Sequence, residues 1–416
     1  MSAWLRGPRF AAVIAPALAR YRWLEWRDAR TGRVDEAGWA RAHERTAKGF
    51  ARLGEELGGL YVKLCQVAGA RADVFPAVFV RELGRFHDRV TPRPFAALAP
   101  ALERELGRPL GAVFARIEPT PLAAASLAQV HRAELPDGSP VALKIQYPEA
   151  ARLFAIDLGN VRRGVSVASR LFPGLAIRPI VEEVAANIAR ELDFARERAS
   201  LERTRADFAG DPEVRIPRSY PELCTAHLLV LEYLDGVPIH DLAALRARGV
   251  DLPALADRVA RLYRRMIFEH GFFHGDPHPG NLLVLADGRI GLLDFGLAKA
   301  LPVGFGANLV QMFATALRGD AAGALAAAKG LGFSLDGAEP DAFLRALGIA
   351  LGARHDFADI RSVFGGLAGS IPPDIALVIR TLILLNGLSE RLAPGERRIT
   401  RELILGAARA TTRASA

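Results

Sequence analysis

The segment His274-Gly-Asp-Pro-His-Pro-Gly-Asn281 constrains the fold of this 416-residue chain more than any other stretch. Pro277 and Pro279 lack N–H donors and push the residues before them out of helical geometry, so the segment is expected to be an ordered loop. It runs into two apolar stretches, 282–285 and 290–293, separated by Asp287-Gly288 and followed by Asp294-Phe-Gly296. An Asp-Gly pair between two such runs predicts an antiparallel hairpin. Pairing across that turn brings Asn281 and Asp294 to the same end of the ladder. A carboxylate and an amide carbonyl converging there are hard oxygen donors suited to Mg2+, which keeps its other positions for water and phosphate oxygens. Asp276, five residues before Asn281, then falls where a phosphoryl acceptor or attacking water would arrive, as base or orienter.

Upstream, the texture is that of a small sheet. Ser126-Leu-Ala-Gln-Val-His-Arg-Ala-Glu134 and Pro140-Val-Ala-Leu-Lys-Ile-Gln146 flank a second Asp-Gly turn, Asp137-Gly138. Lys144 thus lies on a strand, and a second strand pair is expected near Val214 and at 228–233. Lysine on a strand, Asp with Asn five residues on, and a later Asp-Phe-Gly form, in that order, the protein-kinase set. There the lysine reaches nucleotide phosphates and is held by a helix glutamate. That glutamate is expected on one helix containing Glu191-Leu-Asp193-Phe-Ala-Arg-Glu197, with Glu191, Asp193 and Glu197 as candidates. Asp193 and Glu197 are four apart, a like-charge pair that favours a cation between them, for which Lys144 is the candidate. No Gly-rich loop opens the sheet. Ala123-Ala124-Ala125-Ser126 stands there, and its Cβ atoms limit backbone approach to phosphates, so the lid must be held differently. Read locally, the same four residues also suit a helix start.

The fold class is therefore α+β, a two-lobed protein-kinase-like fold. Residues 1–112 read as an N-terminal helical extension, with Pro76, Pro92 and Pro94 as breaks. Residues 113–235 read as the N-lobe and 236–416 as a mostly helical C-lobe. Cys65 and Cys224 cannot form a disulfide framework and lack a partner at metal-ligand spacing, so buried thiols in a reducing compartment are expected. The formal charge is +8, and residues 1–34 hold seven arginines against Glu25 and Asp28. With Trp4, Phe10, Tyr21, Trp23 and Trp26 interleaved, that segment reads as a helix on an anionic membrane surface or as one packing on its own domain. An organelle presequence ranks last. The apolar runs 11–19 and 375–385 fall short of the ~20 residues of a spanning helix. A cytoplasmic, peripherally membrane-associated protein that does not bind nucleic acid is expected.

Taken together, Ala123-Ala-Ala-Ser-Leu-Ala-Gln-Val-His131, Val141-Ala-Leu-Lys144, Glu191-Leu-Asp193 and His274-Gly-Asp-Pro-His-Pro-Gly-Asn281 resemble the UbiB atypical kinases, called ADCK proteins in animals. The resemblance runs from about residue 57 to 302, with a looser echo at 375–394. It implies a kinase-like fold, binding of ATP with Mg2+, and membrane association. It also implies a role in ubiquinone or other isoprenoid-lipid metabolism, with an isoprenoid lipid or quinone precursor and quinone-biosynthesis proteins as partners. Ala123 to Ser126, Lys144, Glu232 and Tyr233 are the nucleotide contacts it suggests. The family's N-terminal Lys-x-Gly-Gln motif reads Lys63-Leu-Cys-Gln66 here, with Cys65 replacing glycine. In the family its lysine meets the Glu-x-Asp segment, so Lys63, Gln66, Glu191 and Asp193 form a regulatory set, with Lys63 to Glu191 as the carried-over pair. A small-molecule kinase of the aminoglycoside-phosphotransferase type shares the His-Gly-Asp loop but lacks this helix and the alanine lid. A nucleotide- or lipid-binding pseudokinase scaffold is the rival from another class. No Ala-Pro-Glu segment follows Gly296 to build a peptide platform.

Overall fold

Helical periodicity at the start of the chain becomes five helices in the computed structural model: α1 (Ala3–Thr31), α2 (Glu36–Leu57), α3 (Leu60–Ala70), α4 (Ala77–Gly84) and α5 (Phe95–Leu106). The structure describes residues 3–71, 74–87, 92–174, 177–333 and 372–396, with 341, 343, 344, 398 and 402. Met1 and much of the expected C-lobe beyond 333 lie outside the described residues. Pro76 and Pro94 stand at the N-caps of α4 and α5, where a missing N–H costs nothing.

The chain divides into two compact units, Met1–Ala195 with Tyr220–Glu232 and Arg196–Ser219 with Tyr233–Ala416. The first holds a sheet of β1 (Arg116–Ile117), β2 (Ala123–Ala124), β3 (Ala128–Glu134), β4 (Pro140–Gln146) and β6 (Leu228–Glu232), with the long ladders β3·β4 and β4·β6 antiparallel. Gly138, with φ 83°, makes the β3–β4 turn. Val141, Leu143 and Ile145 alternate into the core with Leu228 and Val230. Each such side chain contributes roughly 1.5–3 kcal/mol on full burial. The opposite face of β4 carries Ala142, Lys144 and Gln146. Helices α6 (Ala150–Leu171) and α7 (Arg178–Glu191) join this core through Val161, Val184 and Ile188.

The second unit contains α8 (Phe194–Asp207) and a four-stranded sheet of order β5-β10-β9-β7, comprising β5 (Val214–Arg215), β7 (Gly236–Pro238), β9 (Leu282–Leu285) and β10 (Ile290–Leu292). β8 (Phe272–Phe273) pairs with β11 (Lys299–Ala300). Around them run α9 (Leu242–Ala247), α10 (Leu252–Arg265), α11 (Phe305–Leu317), α12 (Ala321–Gly330) and α13 (Pro373–Leu392). Asp241, Asp251 and Asp320 each accept a backbone N–H three residues on, the N-cap pattern.

Three sequence expectations are corrected. Val214 and 228–233 do not pair with each other: β5 runs parallel to β10, and β6 joins β4. The single helix through Glu191–Glu197 is two, broken at Leu192-Asp193, and Asp193 and Glu197 do not share one helical face. A short acidic side chain directly before Phe194 favours leaving one helix and starting another. Finally, Ala123-Ala-Ala-Ser126 does not start a helix, since Ala123 and Ala124 pair with Val130 and Gln129.

Cys65 is 1% exposed and faces α2, in the space where a side chain on Gly54 would come within 3.2 Å of its Sγ. The glycine of the motif has in effect a counterpart on the neighbouring helix, so the larger residue at 65 is accommodated. Burial pushes the Cys65 thiol up to about 12. At pH 8 the thiolate fraction is then on the order of 10⁻⁴. Iodoacetamide at pH 8 is accordingly expected to leave Cys65 unmodified in the folded chain and to label it only in denaturant. Rapid labelling of Cys65 under native conditions, read by peptide mass, would contradict this packing.

Candidate functional site

In the second unit the hairpin forms as the Asp287-Gly288 turn requires, with Ile290, Gly291 and Leu292 opposite Val284, Leu283 and Leu282. One step further the Leu293 N–H donates to the Asn281 carbonyl at 2.9 Å, which places Asn281 and Asp294 at one end of the ladder. Asp294 has φ 58° and is the one non-glycine residue with positive φ among the described residues. That conformation is costly for an L-residue and tolerated best by Asp and Asn. Three hydrogen bonds hold it there. His274 Nε2 donates to the carbonyls of Leu293, at 2.9 Å, and Asp294, and the Gly296 N–H donates to Asp294 Oδ1 at 3.1 Å. His274 is 2% exposed, with Phe295 edge-on to its ring and Tyr263 Oη 3.3 Å from its Nδ1. Complete burial, and secondarily the charge of Asp276, keeps the Tyr263 phenol well above its ordinary range.

Asn281 Nδ2 donates to the backbone oxygen and to Oδ2 of Asp276, both at 3.2 Å. The amide nitrogen is therefore occupied, and the amide oxygen is the atom left for a ligand. With the Asp294 carboxylate this is a hard oxygen donor set, which fits magnesium. No group of three His, Cys, Asp or Glu side chains suited to a metal occurs among the described residues, so such an ion would depend on water and phosphate oxygens.

Sequence reasoning missed the contribution of α13. Arg380 Nη2 lies 3.6 Å from Asp276 Oδ1, and Thr381 Oγ1 donates to the Gly275 carbonyl at 3.3 Å. A Cβ on Gly275 would meet the Leu297 carbonyl oxygen at 2.6 Å, so only glycine lets the loop pass there. Arg380 lies within the apolar run 375–385. Arg196 donates to the carbonyls of Gly296, at 3.4 Å, and Ala298, at 3.2 Å, fixing the segment after Asp-Phe-Gly. Glu197, on the same helix, is 2% exposed.

In the first unit Lys144 pairs in register with Val130 and Leu229, and its Nζ stands 5.6 Å from the Phe194 ring centroid. Ala123-Ala-Ala-Ser126 forms the hairpin leading into β3, closed by the Ala125 N–H donating to the Ala128 carbonyl at 2.8 Å. Gln129 and His131 of the same motif have positioning work: Gln129 exchanges hydrogen bonds with the Arg93 backbone, and His131 Nδ1 is 2.7 Å from the Glu118 carbonyl. Burial lowers the His131 pKa. Lys63 Nζ meets Glu191 Oε1 at 2.7 Å, the carried-over pair, and Gln66 Nε2 donates to the Phe86 carbonyl at 3.0 Å. Asp193 lies in the α7–α8 break, which Gln146 ties to β4 through the Leu192 carbonyl at 2.9 Å. Glu232 ends β6, and the chain passes to the second unit at Tyr233.

The ABC1 atypical kinase-like domain matches residues 85–328. AarF domain-containing protein kinase 1 of Xenopus tropicalis is 33% identical over 316 residues, 74% of this chain and 60% of that protein. A protein of Sodalis glossinidius named "Probable protein kinase UbiB" is 36% identical over 233 residues, 55% of this chain and 43% of the relative. The chain covers 39% to 63% of the lengths of the curated relatives compared. Among solved structures, that of Rv3197 from Mycobacterium tuberculosis, determined with erythromycin, matches with a TM-score of 0.56 and 26% identity, covering 87% of this chain and 98% of that one. A kinase-like α+β fold, the alanine hairpin and the His-Gly-Asp loop thus come with a domain match over more than half of the sequence: the chain belongs to the ABC1/AarF family of atypical kinases, the UbiB/ADCK family.

Proposed function

We propose that this chain is an ATP- and magnesium-dependent atypical kinase or ATPase that works at a membrane surface in support of isoprenoid-quinone metabolism. The observation that carries the reading is the end of the 282–292 hairpin, where Asp294 is held in a costly backbone conformation beside an Asn281 whose amide oxygen is left for a ligand. Backbone strain concentrates where a ligand needs it. In this reading Asn281 and Asp294 hold magnesium, which when bound neutralises charge on the nucleotide phosphates. Asp276 takes the proton of the attacking hydroxyl or water, with Arg380 beside its carboxylate and Asn281 fixing its orientation. Lys144 holds phosphates, the Ala123–Ser126 hairpin covers them, and Glu232 and Tyr233 contact the base. Glu191 is engaged by Lys63, which leaves Glu197 as the helix carboxylate and makes Lys63, Gln66, Glu191 and Asp193 the regulatory set. The decisive measurement is ATP hydrolysis by the full chain with and without anionic vesicles carrying an isoprenoid quinone. Turnover that requires Asp276 and magnesium, rises with vesicles and leaves an added unstructured protein unlabelled is expected. Efficient phosphorylation of that protein, or turnover retained in Asp276→Asn, would refute the reading.

The membrane part rests on α1. No helix among the described residues is long and apolar enough to cross a membrane. Yet Trp4, Trp23 and Trp26 are 75%, 53% and 55% exposed, and exposed Ala12, Ala15 and Ala19 recur between them at helical spacing. Several arginines are already engaged: Arg6 with Asp157, Arg22 with Glu25, and Arg27 with Asp28 and Asp35. Less charge is therefore free for lipid than the sequence count suggests, and insertion of tryptophan should matter more than attraction. Trp23→Ala/Trp26→Ala is expected to weaken co-sedimentation with anionic vesicles more than tenfold, at roughly 1–2 kcal/mol per ring, with a modest further loss at high salt. Unchanged binding after both substitutions would show that α1 only packs on its own unit.

A further inference from the structure

A phosphoryl group in transfer spreads negative charge over its equatorial oxygens, and enzymes meet that charge with lysine or arginine. The loop at Asp276 supplies neither: Pro277, His278, Pro279 and Gly280 separate it from Asn281. Two cations of the second unit close to the Asp-Phe-Gly segment are committed elsewhere. Arg196 donates to the Gly296 and Ala298 carbonyls, and Lys299 is paired with Asp374. Arg380 differs from both. Its Nη2 stands 3.6 Å from Asp276 Oδ1, beyond hydrogen-bond length, and its side chain is 53% exposed. Among the described residues no hydrogen bond engages its guanidinium. An exposed pair of that length adds little to stability, so the fold has small need of this arginine.

Its place is nevertheless fixed. Leu377, Arg380 and Thr381 lie three and four residues apart on one face of α13, and that face meets the loop. Thr381, 0% exposed, donates to the Gly275 carbonyl, and a Cβ on Gly275 would come within 3.2 Å of Leu377 Cδ2. Ile375, Val378, Leu382 and Leu385 are buried and anchor the rest of the helix. Asp276 thus has the Asn281 amide at Oδ2 and a guanidinium at Oδ1. A cation held on a rigid element, with most of its five donors unspent, stabilises developing charge without reorganising.

We infer that Arg380 is a catalytic residue for the terminal phosphoryl group of the nucleotide, binding that group's oxygens and thereby telling a nucleoside triphosphate from a diphosphate. The inference rests on the function proposed above. As the oxygen of the attacking hydroxyl or water bonds to phosphorus, the bond from phosphorus to the bridging oxygen breaks and its electron pair leaves with the diphosphate. The proton of the attacking group passes to Asp276. Arg380 stays charged throughout and exchanges no proton.

Displacement of a fluorescent ADP from the full chain in magnesium reads the affinities for ADP and for a non-hydrolysable ATP analogue, with ATP turnover measured alongside. In Arg380→Gln the analogue is expected to bind about tenfold more weakly, with ADP within about twofold of the parent and kcat about a hundredfold lower. Arg380→Lys keeps the charge without the fork and should recover part of both losses. Both variants should melt with the parent when no nucleotide is present. Equal weakening of the analogue and ADP, or a melting temperature several degrees lower in both variants, would overturn this role. So would unchanged affinity for the analogue, which together with a lowered kcat would move Arg380 to the acceptor. A parent that binds neither nucleotide would refute the proposed function and this role together. A parent that binds both, with the same preference kept in Arg380→Gln, would refute this role alone.

Discussion

Asp294→Asn is expected to lose magnesium-dependent stabilisation by ATP and to lower turnover by about 10²–10³-fold, while melting within a degree or two of the parent in the absence of nucleotide. The two halves of this expectation have separate physical sources. Asparagine tolerates the left-handed backbone about as well as aspartate, and its amide oxygen can still accept from the Gly296 N–H, so the contacts at 3.1 Å and to His274 survive. What disappears is one negative charge from a two-donor site aimed at a divalent cation, and removal of one such electrostatic group typically costs two to three orders of magnitude in rate. Asp294→Ala is the contrasting variant, since alanine at φ 58° costs roughly 1–2 kcal/mol of stability as well. Thermal-shift titrations with ATP, in magnesium and in EDTA, separate the cases. Equal ATP stabilisation of parent and Asp294→Asn, or no difference between magnesium and EDTA, would remove the basis for a metal site here.

How much of this was readable in the residues depends on the range of the interaction. The 282–292 hairpin and its Asp287-Gly288 turn were legible because register in a two-residue turn is fixed locally. Lys63–Glu191 came from family resemblance, since nothing in the residues alone joins positions 128 apart. The parallel pairing of β5 with β10 was invisible, because a two-residue strand has no periodicity and its partner lies far along the chain. The break at Leu192-Asp193 was masked by good helix formers on both sides, against which one capping residue is a weak mark. Arg380 and Thr381 lie within the apolar run 375–385, yet they meet the loop at Asp276 and Gly275. Polar residues in an apolar run are uninformative until the neighbouring element is known. Arg6 is the same lesson at the other end of the chain, where an arginine counted toward a basic surface proves to be 2% exposed.

Arg6→Ala is expected to be the most destabilising single substitution in the first unit. The guanidinium donates to both Asp157 carboxylate oxygens, through Nε at 2.7 Å and through Nη2, and Nη2 also donates to the Leu57 carbonyl at 2.9 Å. It thereby ties α1 to α6 and to the end of α2. The two side chains are 3% and 1% exposed, so truncating Arg6 leaves a carboxylate that water cannot reach. Breaking such a pair typically costs about 3–5 kcal/mol, which for a unit of this size lowers its melting temperature by roughly 6–20 °C. Burial already raises the Asp157 pKa, opposed by the charge of Arg6, and removing that charge lets it rise further. A carboxyl whose folded pKa exceeds its unfolded value of about 3.9 binds its proton more tightly in the folded state. The penalty is therefore full above the folded pKa and shrinks as pH falls toward the unfolded one. Urea melts at pH 7.5 and pH 4.5 should show the gap between Arg6→Ala and the parent narrowing at the lower pH. Arg6→Met/Asp157→Leu, which removes both charges and keeps the volume, should recover most of the loss. A deficit below about 1 kcal/mol at pH 7.5, or a double variant no better than Arg6→Ala, would mean that the pair does not hold α1 in place.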